Sequence, residues 1–229
     1  QLLRWERKSL FLARIQAMLS LAGRDPKMAR KISDFDAKPG LLNLANGTFC
    51  LTAHKLREHR SEDLITKIVP VDYDPKARSE VLKKFLHDVT GGSREMRTFL
   101  ARWVGYSLLG NPVEQVVVIL FGPGRTGKTT LVEMAKAILG DYAVSLASES
   151  LTKKKSNSIR NDLARLPGTR FAGVSELERD AILSESVLKS LTGGDKIPAR
   201  FLHNEYFDFE NTATITICAN VLPKVHWED

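Results

Sequence analysis

The stretch Val116-Val-Val-Ile-Leu-Phe121-Gly122-Pro-Gly-Arg-Thr-Gly127-Lys128-Thr129-Thr130 decides the fold. Val116 to Phe121 is continuously apolar and rich in β-branched side chains, which predicts a central parallel strand covered on both faces. The strand runs straight into a segment that fits G-x-x-x-x-G-K-[ST] at every fixed position, and a helix is expected from about Lys128. Strand, glycine loop and helix in this order predict an α/β domain of the P-loop type, a three-layer sandwich around a parallel sheet. The chemistry explains the spacing. Gly122, Gly124 and Gly127 let the loop curl so that consecutive main-chain N–H groups face phosphates, and the helix aims the positive end of its dipole at the same anion. Lys128 is expected to offset β- and γ-phosphate charge, and the Thr129 hydroxyl to ligate Mg²⁺. The expected ligands are therefore ATP and Mg²⁺. The expected binding residues are Gly122, Pro123, Gly124, Arg125, Thr126, Gly127, Lys128, Thr129 and Thr130.

Acidic and amide groups further along define a task for that loop. Arg170-Phe-Ala-Gly-Val-Ser-Glu176-Leu-Glu178 reads as a second buried strand ending in carboxylates, at the sheet edge where a nucleotide site needs them. Glu176 is expected to polarise the attacking water. Glu178 has two readings, an indirect contact to the metal or plain surface charge. A third strand, Ala213-Thr-Ile-Thr-Ile-Cys-Ala219, ends at Asn220. An amide donates and accepts at once, so Asn220 suits orienting water or reading the γ-phosphate, although Asn is also a common turn residue. The catalytic set is thus Lys128, Glu176 and Asn220, and the metal set Thr129, Glu176 and Glu178.

Residues 1–112 read as a mainly helical domain with a hairpin, and 113–229 as the ATPase domain. Leu2 to about Ala22 has apolar residues at helical spacing with Arg4, Arg7, Lys8 and Arg14 between them. Packing on a neighbouring domain and contact with DNA are both open readings of that helix. Asn46-Gly47 between apolar runs predicts a tight hairpin turn with positive φ at both central positions, and Ile68-Val-Pro-Val-Asp-Tyr-Asp-Pro75 an extended segment. A helix from about Ser93 to Leu109 carries Met96, Phe99, Leu100, Trp103, Val104 and Leu108 on one stripe, expected to pack as core. Lys plus Arg number 34 against 27 acids, a net charge of +7 that permits a polyanionic partner without demanding one. Cys50 and Cys218 lack metal-ligand spacing and are expected to be reduced and buried. No apolar run approaches the roughly 20 residues of a membrane span, so a soluble cytoplasmic protein is expected. Gln1 opens inside a helical pattern and Asp229 stops without punctuation, so the chain reads as a piece of a longer polypeptide.

Taken together, these segments resemble the superfamily 3 helicases of the phage and plasmid primase family, AAA+-like motors that include the poxvirus primase-helicase. The matching text is Asn43 to Thr48, Ile68 to Pro75, Phe99 to Gly110, the glycine loop, Ser175-Glu176, Leu188-Lys-Ser-Leu-Thr-Gly-Gly-Asp195, and Thr216-Ile-Cys-Ala-Asn220 with Pro223 after it. The resemblance implies an ATP-driven DNA helicase working as a ring, a homo-oligomer and by expectation a hexamer, on a single strand in its channel at forked duplex. It implies a DNA-gripping hairpin between the Gly-Gly-Asp segment and the third strand, where Lys196, Arg200 and His203 fall; ordinary surface charge is the other reading of each. Ser175 stands where many P-loop proteins carry Asp. The family's arginine finger lies beyond Asn220 and is not reached by Asp229, so this fragment is expected to bind nucleotide but turn over poorly alone. Two rival functions remain at this stage, a small-molecule kinase and a non-hydrolysing initiator or packaging module.

Overall fold

A computed structural model describes residues 10–26, 28–153, 162–178, 180–201 and 205–225. The first helix, α1, spans Leu12–Ala22 and buries none of its residues; residues 1–9, where the sequence reading also expects helix, lie outside the described residues. A small antiparallel sheet follows, with β1 at Leu41–Leu44, β2 at Gly47–Cys50 and β3 at Lys55–Arg57. The β1–β2 turn differs from the expected one by a residue. Leu44 pairs with Gly47, so the turn residues are Ala45 and Asn46. Gly47 (φ 153°) opens β2, where an added Cβ would sit 2.5 Å from the Arg57 carbonyl. Asn46 has no positive φ and does other work. Its side-chain carbonyl accepts from the Tyr73 N–H (2.9 Å) and its amide donates to the Tyr73 carbonyl (3.1 Å), fastening the extended Ile68–Tyr73 segment beside β1. Beside this sheet, Asp63 of the short helical turn Ser61–Asp63 is buried between Arg57 (2.6 Å) and Lys38 (3.1 Å). Burial alone would raise its carboxyl pKa, but these two cations hold it below the ordinary range.

Two helices lead to the larger sheet, α2 at Glu80–Val89 and α3 at Arg94–Ser107. Each begins on a serine, Ser79 or Ser93, whose hydroxyl accepts from the backbone N–H three residues on. The stripe on α3 is only half core. Leu100 and Trp103 are buried, whereas Met96 and Phe99 are 49% and 47% exposed. The helix is fixed through polar contacts as much as apolar ones, since Trp103 Nε1 donates to Thr216 Oγ1 (2.9 Å) and the Ser107 and Thr214 hydroxyls are bonded (2.6 Å).

The larger sheet is wholly parallel, in the order β4 (Val117–Phe121), β10 (Thr214–Ala219), β6 (Phe171–Val174), β5 (Ala143–Ser145). β4 is therefore an edge strand and not the central one expected. Its residues are half-buried and Phe121 is 54% exposed, while every residue of β10 is buried. A continuous apolar run reports two covered faces; it carries no information on how many strands flank it. Side chains on β10 alternate between two cores. Thr214, Thr216 and Cys218 face α3 and the helix α4 (Lys128–Leu139), together with Leu42, Leu44 and Val69 from the small sheet. Ile215 and Ile217 face Leu183, α5 (Glu185–Thr192) and an antiparallel ladder of β8 (Lys196–Ala199) with β9 (Phe207–Glu210). The remaining two strands, β7 (Ile182–Leu183) and β11 (Lys224–Val225), form a short parallel pair.

One buried cation joins the two sheets. Arg170, 5% exposed at the start of β6, donates from Nη1 to the Leu108 carbonyl after α3 and from Nη2 to the Leu41 carbonyl of β1. Its guanidinium lies 4.7 Å over the Tyr142 ring, and burial pulls its pKa down. Arg170→Ala should lower unfolding free energy by about 3 kcal/mol, because a buried guanidinium and its bonds to two part-buried carbonyls are lost. Urea denaturation of the purified variant measures this, and a loss below about 1 kcal/mol would show that the clasp is replaceable by water.

Candidate functional site

The site is assembled by strand register. Ala219 of β10 pairs with Phe121 of β4 and Ile217 with Val174 of β6, so Asn220, Gly122 and Ser175-Glu176 all emerge at the same carboxyl edge. Gly122 N–H donates to the Ala219 carbonyl and Leu177 N–H to the Cys218 carbonyl, both at 3.3 Å, extending the two ladders into the loops. The glycine loop then turns through left-handed conformations at Arg125 (φ 64°) and Gly127 (φ 83°). Gly127 is also sterically required, because a Cβ there would lie 2.6 Å from Val89 Cγ1 of α2. α4 begins immediately afterwards with no side-chain cap and no acid in its first turn, which leaves its leading N–H groups and positive dipole end open to an anion.

A cavity of about 270 Å³ lies over this edge, lined by Gly124 to Thr130, Ser175, Glu176, Cys218, Ala219 and Asn220. Lys128, Thr129, Glu176 and Asn220 are thus brought together. Gly122 and Pro123 stand behind the lining, where their carbonyls accept from Lys128 Nζ at 2.8 and 2.7 Å, with Thr126 Oγ1 at 3.1 Å. Asn220 Nδ2 donates to Glu176 Oε1 at 3.3 Å. Cys218 is buried as expected and its thiol pKa is pushed up by that burial, partly offset by the charge of Lys128. Cys50, by contrast, is half-buried. Glu178 is exposed and does not line the cavity.

Glu133 escaped the sequence reading. It lies one helical turn after Thr129, accepts from Ser175 Oγ at 3.4 Å, and is ion-paired with Lys136 at 2.7 Å. The signal available was the i, i+4 spacing from Thr129, which marks a shared helix face. Ser175 therefore stands between the cavity and a carboxylate one shell behind it. Arg170 and Tyr142 were missed as well. They line a larger cavity of about 500 Å³ at the opposite, amino end of the sheet, with Asp36, Lys38, Ile65 and Thr212. The Arg170 guanidinium there is already hydrogen-bonded to two carbonyls, and Asp36 already accepts from the Thr66 N–H and hydroxyl.

The β8–β9 hairpin occupies the interval where one was expected. Ile197, Ala199, Phe207 and Phe209 turn toward the core; Lys196 and Pro198 point outward, opposite Glu210 and Asp208. Lys196 is therefore flanked by acids, an unfavourable setting for a phosphate contact. Arg200 lies at the end of the stem with its guanidinium 4.9 Å over the Tyr206 ring. His203 lies outside the described residues. Among the described residues no cluster of three or more His, Cys, Asp or Glu side chains can hold a metal, and no helix is long and apolar enough to cross a membrane.

An α/β protein with a parallel sheet and a glycine-rich loop at its carboxyl edge is the class that this geometry defines. Residues 1–91 match the family described as D5 N terminal like, and residues 120–229 match a family of unknown function, DUF5906. The chain is 28% identical over 215 residues to "Putative helicase L207/L206" of Acanthamoeba polyphaga mimivirus, covering 90% of this chain and 22% of that protein. It is 25% identical over 201 residues to "Putative primase C962R" of African swine fever virus (isolate Tick/Malawi/Lil 20-1/1983), covering 82% and 20%. The chain thus spans about a fifth of the length of these relatives. Among solved structures, the NrS-1 C-terminal region superposes with a TM-score of 0.54 at 18% identity, over 67% of this chain and 36% of that one, and so shares the fold. In these comparisons the chain is similar to viral proteins named as helicases and primases, which supports the phage and viral primase-helicase family.

Gly127→Ala should cost about 1–3 kcal/mol of stability, from a positive φ and a contact with Val89 that cannot form without displacement. Thermal unfolding reads this directly, and an unchanged melting temperature would mean that α2 is not packed on the loop as described.

Proposed function

We propose that this chain is the ATP-dependent motor core of a DNA replication helicase. The observation that carries the reading is the convergence of Lys128, Thr129, Glu176 and Asn220 on one cavity over an uncapped helix start. In this reading main-chain N–H groups from Gly124 to Thr129 hold the phosphate tail of ATP. The Lys128 ammonium leaves the Gly122 and Pro123 carbonyls to meet the β- and γ-oxygens, a stronger charge-assisted partner. The donor set fits Mg²⁺, a hard cation that takes one or two protein oxygens and keeps several waters. Thr129 and Glu176 would hold it, and when bound it supplies charge neutralisation at the phosphates.

Glu176 accepts the proton of the attacking water. Asn220, bonded to the same carboxylate at 3.3 Å, fixes its orientation and is placed to sense whether the γ-phosphate is present. Glu133, through Ser175, supplies negative potential where many P-loop proteins place an Asp directly. The helicase and primase names of the viral relatives favour DNA as the track over a metabolite substrate, and the net charge of +7 agrees with a polyanion. A division into a connector at 1–112 and a motor at 113–229, a ring of identical subunits with an arginine supplied between neighbours, and a soluble intracellular setting complete the proposal.

The test is DNA-stimulated ATP hydrolysis and strand displacement by the intact polypeptide. Lys128→Ala should abolish both and remove ATP binding measured by calorimetry. Glu176→Gln should keep ATP affinity while kcat falls by about a hundredfold or more. Wild-type unwinding by Lys128→Ala would end the motor reading. Loss of ATP affinity in Glu176→Gln would move that residue from proton acceptor to binding group.

A further inference from the structure

A second charged surface lies away from the cavity and the hairpin, on α3 beside the C-terminal half of α2. Leu86, Arg94, Arg97, Thr98, Ala101 and Arg102 line a shallow groove there. Arg94 and Arg102 are exposed and Arg97 is half-buried. Among the described residues none of these three arginines is ion-paired with a carboxylate. The Nη1 of Arg97 is buried and has no hydrogen-bond partner. The exposed guanidinium groups of Arg94 and Arg102, with Arg97 between them, give the groove a positive potential that favours an anion.

We propose that this arginine groove binds the phosphodiester backbone of a single DNA strand. Residues 94 to 102 span about 12 Å along a helix axis, a distance that covers successive phosphates of one strand and exceeds what a single phosphate or carboxylate would need. Arginine is the cation suited to this use, since its planar fork pairs with phosphate oxygens in two places and stays charged at all relevant pH. No aromatic side chain lines the groove for a base to stack on, so the proposed contact is to the sugar-phosphate backbone. The same α2 that forms one wall presses Val89 and Phe85 against Gly127 of the glycine loop. A strand held here is one helix away from the residues that hold ATP. The inference rests on the nucleic-acid motor reading and adds a contact surface that the hairpin does not supply.

The experiment titrates a labelled mixed-sequence single strand against the intact polypeptide by fluorescence anisotropy over a series of salt concentrations. Three proteins are compared: wild type, Arg94→Gln/Arg97→Gln/Arg102→Gln, and Arg94→Lys/Arg97→Lys/Arg102→Lys. The glutamine variant should bind more weakly, with a log K against log salt slope shallower by about 2, from roughly 0.7 per phosphate contact over three contacts. The lysine variant keeps the charge and should recover most of that slope. Calorimetric ATP affinity should stay at the wild-type value in both, which shows that the fold and the cavity are intact. An unchanged salt slope in the glutamine variant overturns the proposal, as does an equal loss in both variants or a loss of ATP affinity alongside. Absence of ATP binding by the wild type would instead defeat the nucleotide reading, while the salt slopes of the two variants still decide this proposal.

Discussion

The parallel pairing of β10 with β4 on one side and β6 on the other is the constraint on which the rest depends. Parallel strands end at the same edge, so three segments far apart in sequence must release their loops side by side. That single register brings the glycine loop after Phe121, the carboxylate after Ser175 and the amide after Ala219 around one cavity. A slip of one residue in β10 would turn Ile215 and Ile217 out of one core and Thr216 and Cys218 out of the other. The site geometry is thus protected by two apolar cores, and its polar residues need contribute little to folding.

Much of this arrangement was legible because its causes are local. The glycine loop announces itself through its glycines, of which Gly122 and Gly127 adopt positive φ, and the strand ends through apolar runs followed by Glu176 and Asn220. What stayed hidden depends on partners distant in sequence. The run at Val117–Phe121 gives no sign of being an edge, because neighbours in a sheet are set by Thr214–Ala219 almost a hundred residues on. The stripe on α3 reads as uniform core, yet Met96 and Phe99 stay exposed while Trp103 finds a hydroxyl on β10. Asn46-Gly47 marked the hairpin correctly but not its turn, since the Asn46 amide is recruited by Tyr73 and leaves Gly47 to open the strand.

The N-terminal part is more than an appendage to the sheet. Leu42, Leu44 and Val69 share a core with Val132, Ala135 and Leu139 of α4, the helix that starts at the glycine loop. Arg170 ties the start of β6 to β1 and to the end of α3, and Val89 of α2 rests on Gly127. α2 therefore touches the glycine loop directly through Val89, and the end of α3 is tied to β6 through Arg170. The hairpin is built differently. Its inner face joins the far core, and its outer face mixes Lys196 with Asp208 and Glu210, so little of its stem is positively charged.

The central claim is that a triphosphate lies against the main-chain amides of the loop. The most direct measurement is an experimental structure of the intact polypeptide with Mg²⁺ and a non-hydrolysable ATP analogue. Phosphate oxygens should lie about 2.7–3.2 Å from the N–H groups of Gly124 to Thr129, with Lys128 turned off its own loop carbonyls. Nucleotide density in the cavity beside Arg170 and Tyr142, or a Lys128 still bound to Gly122 and Pro123 beneath an occupied site, would contradict it.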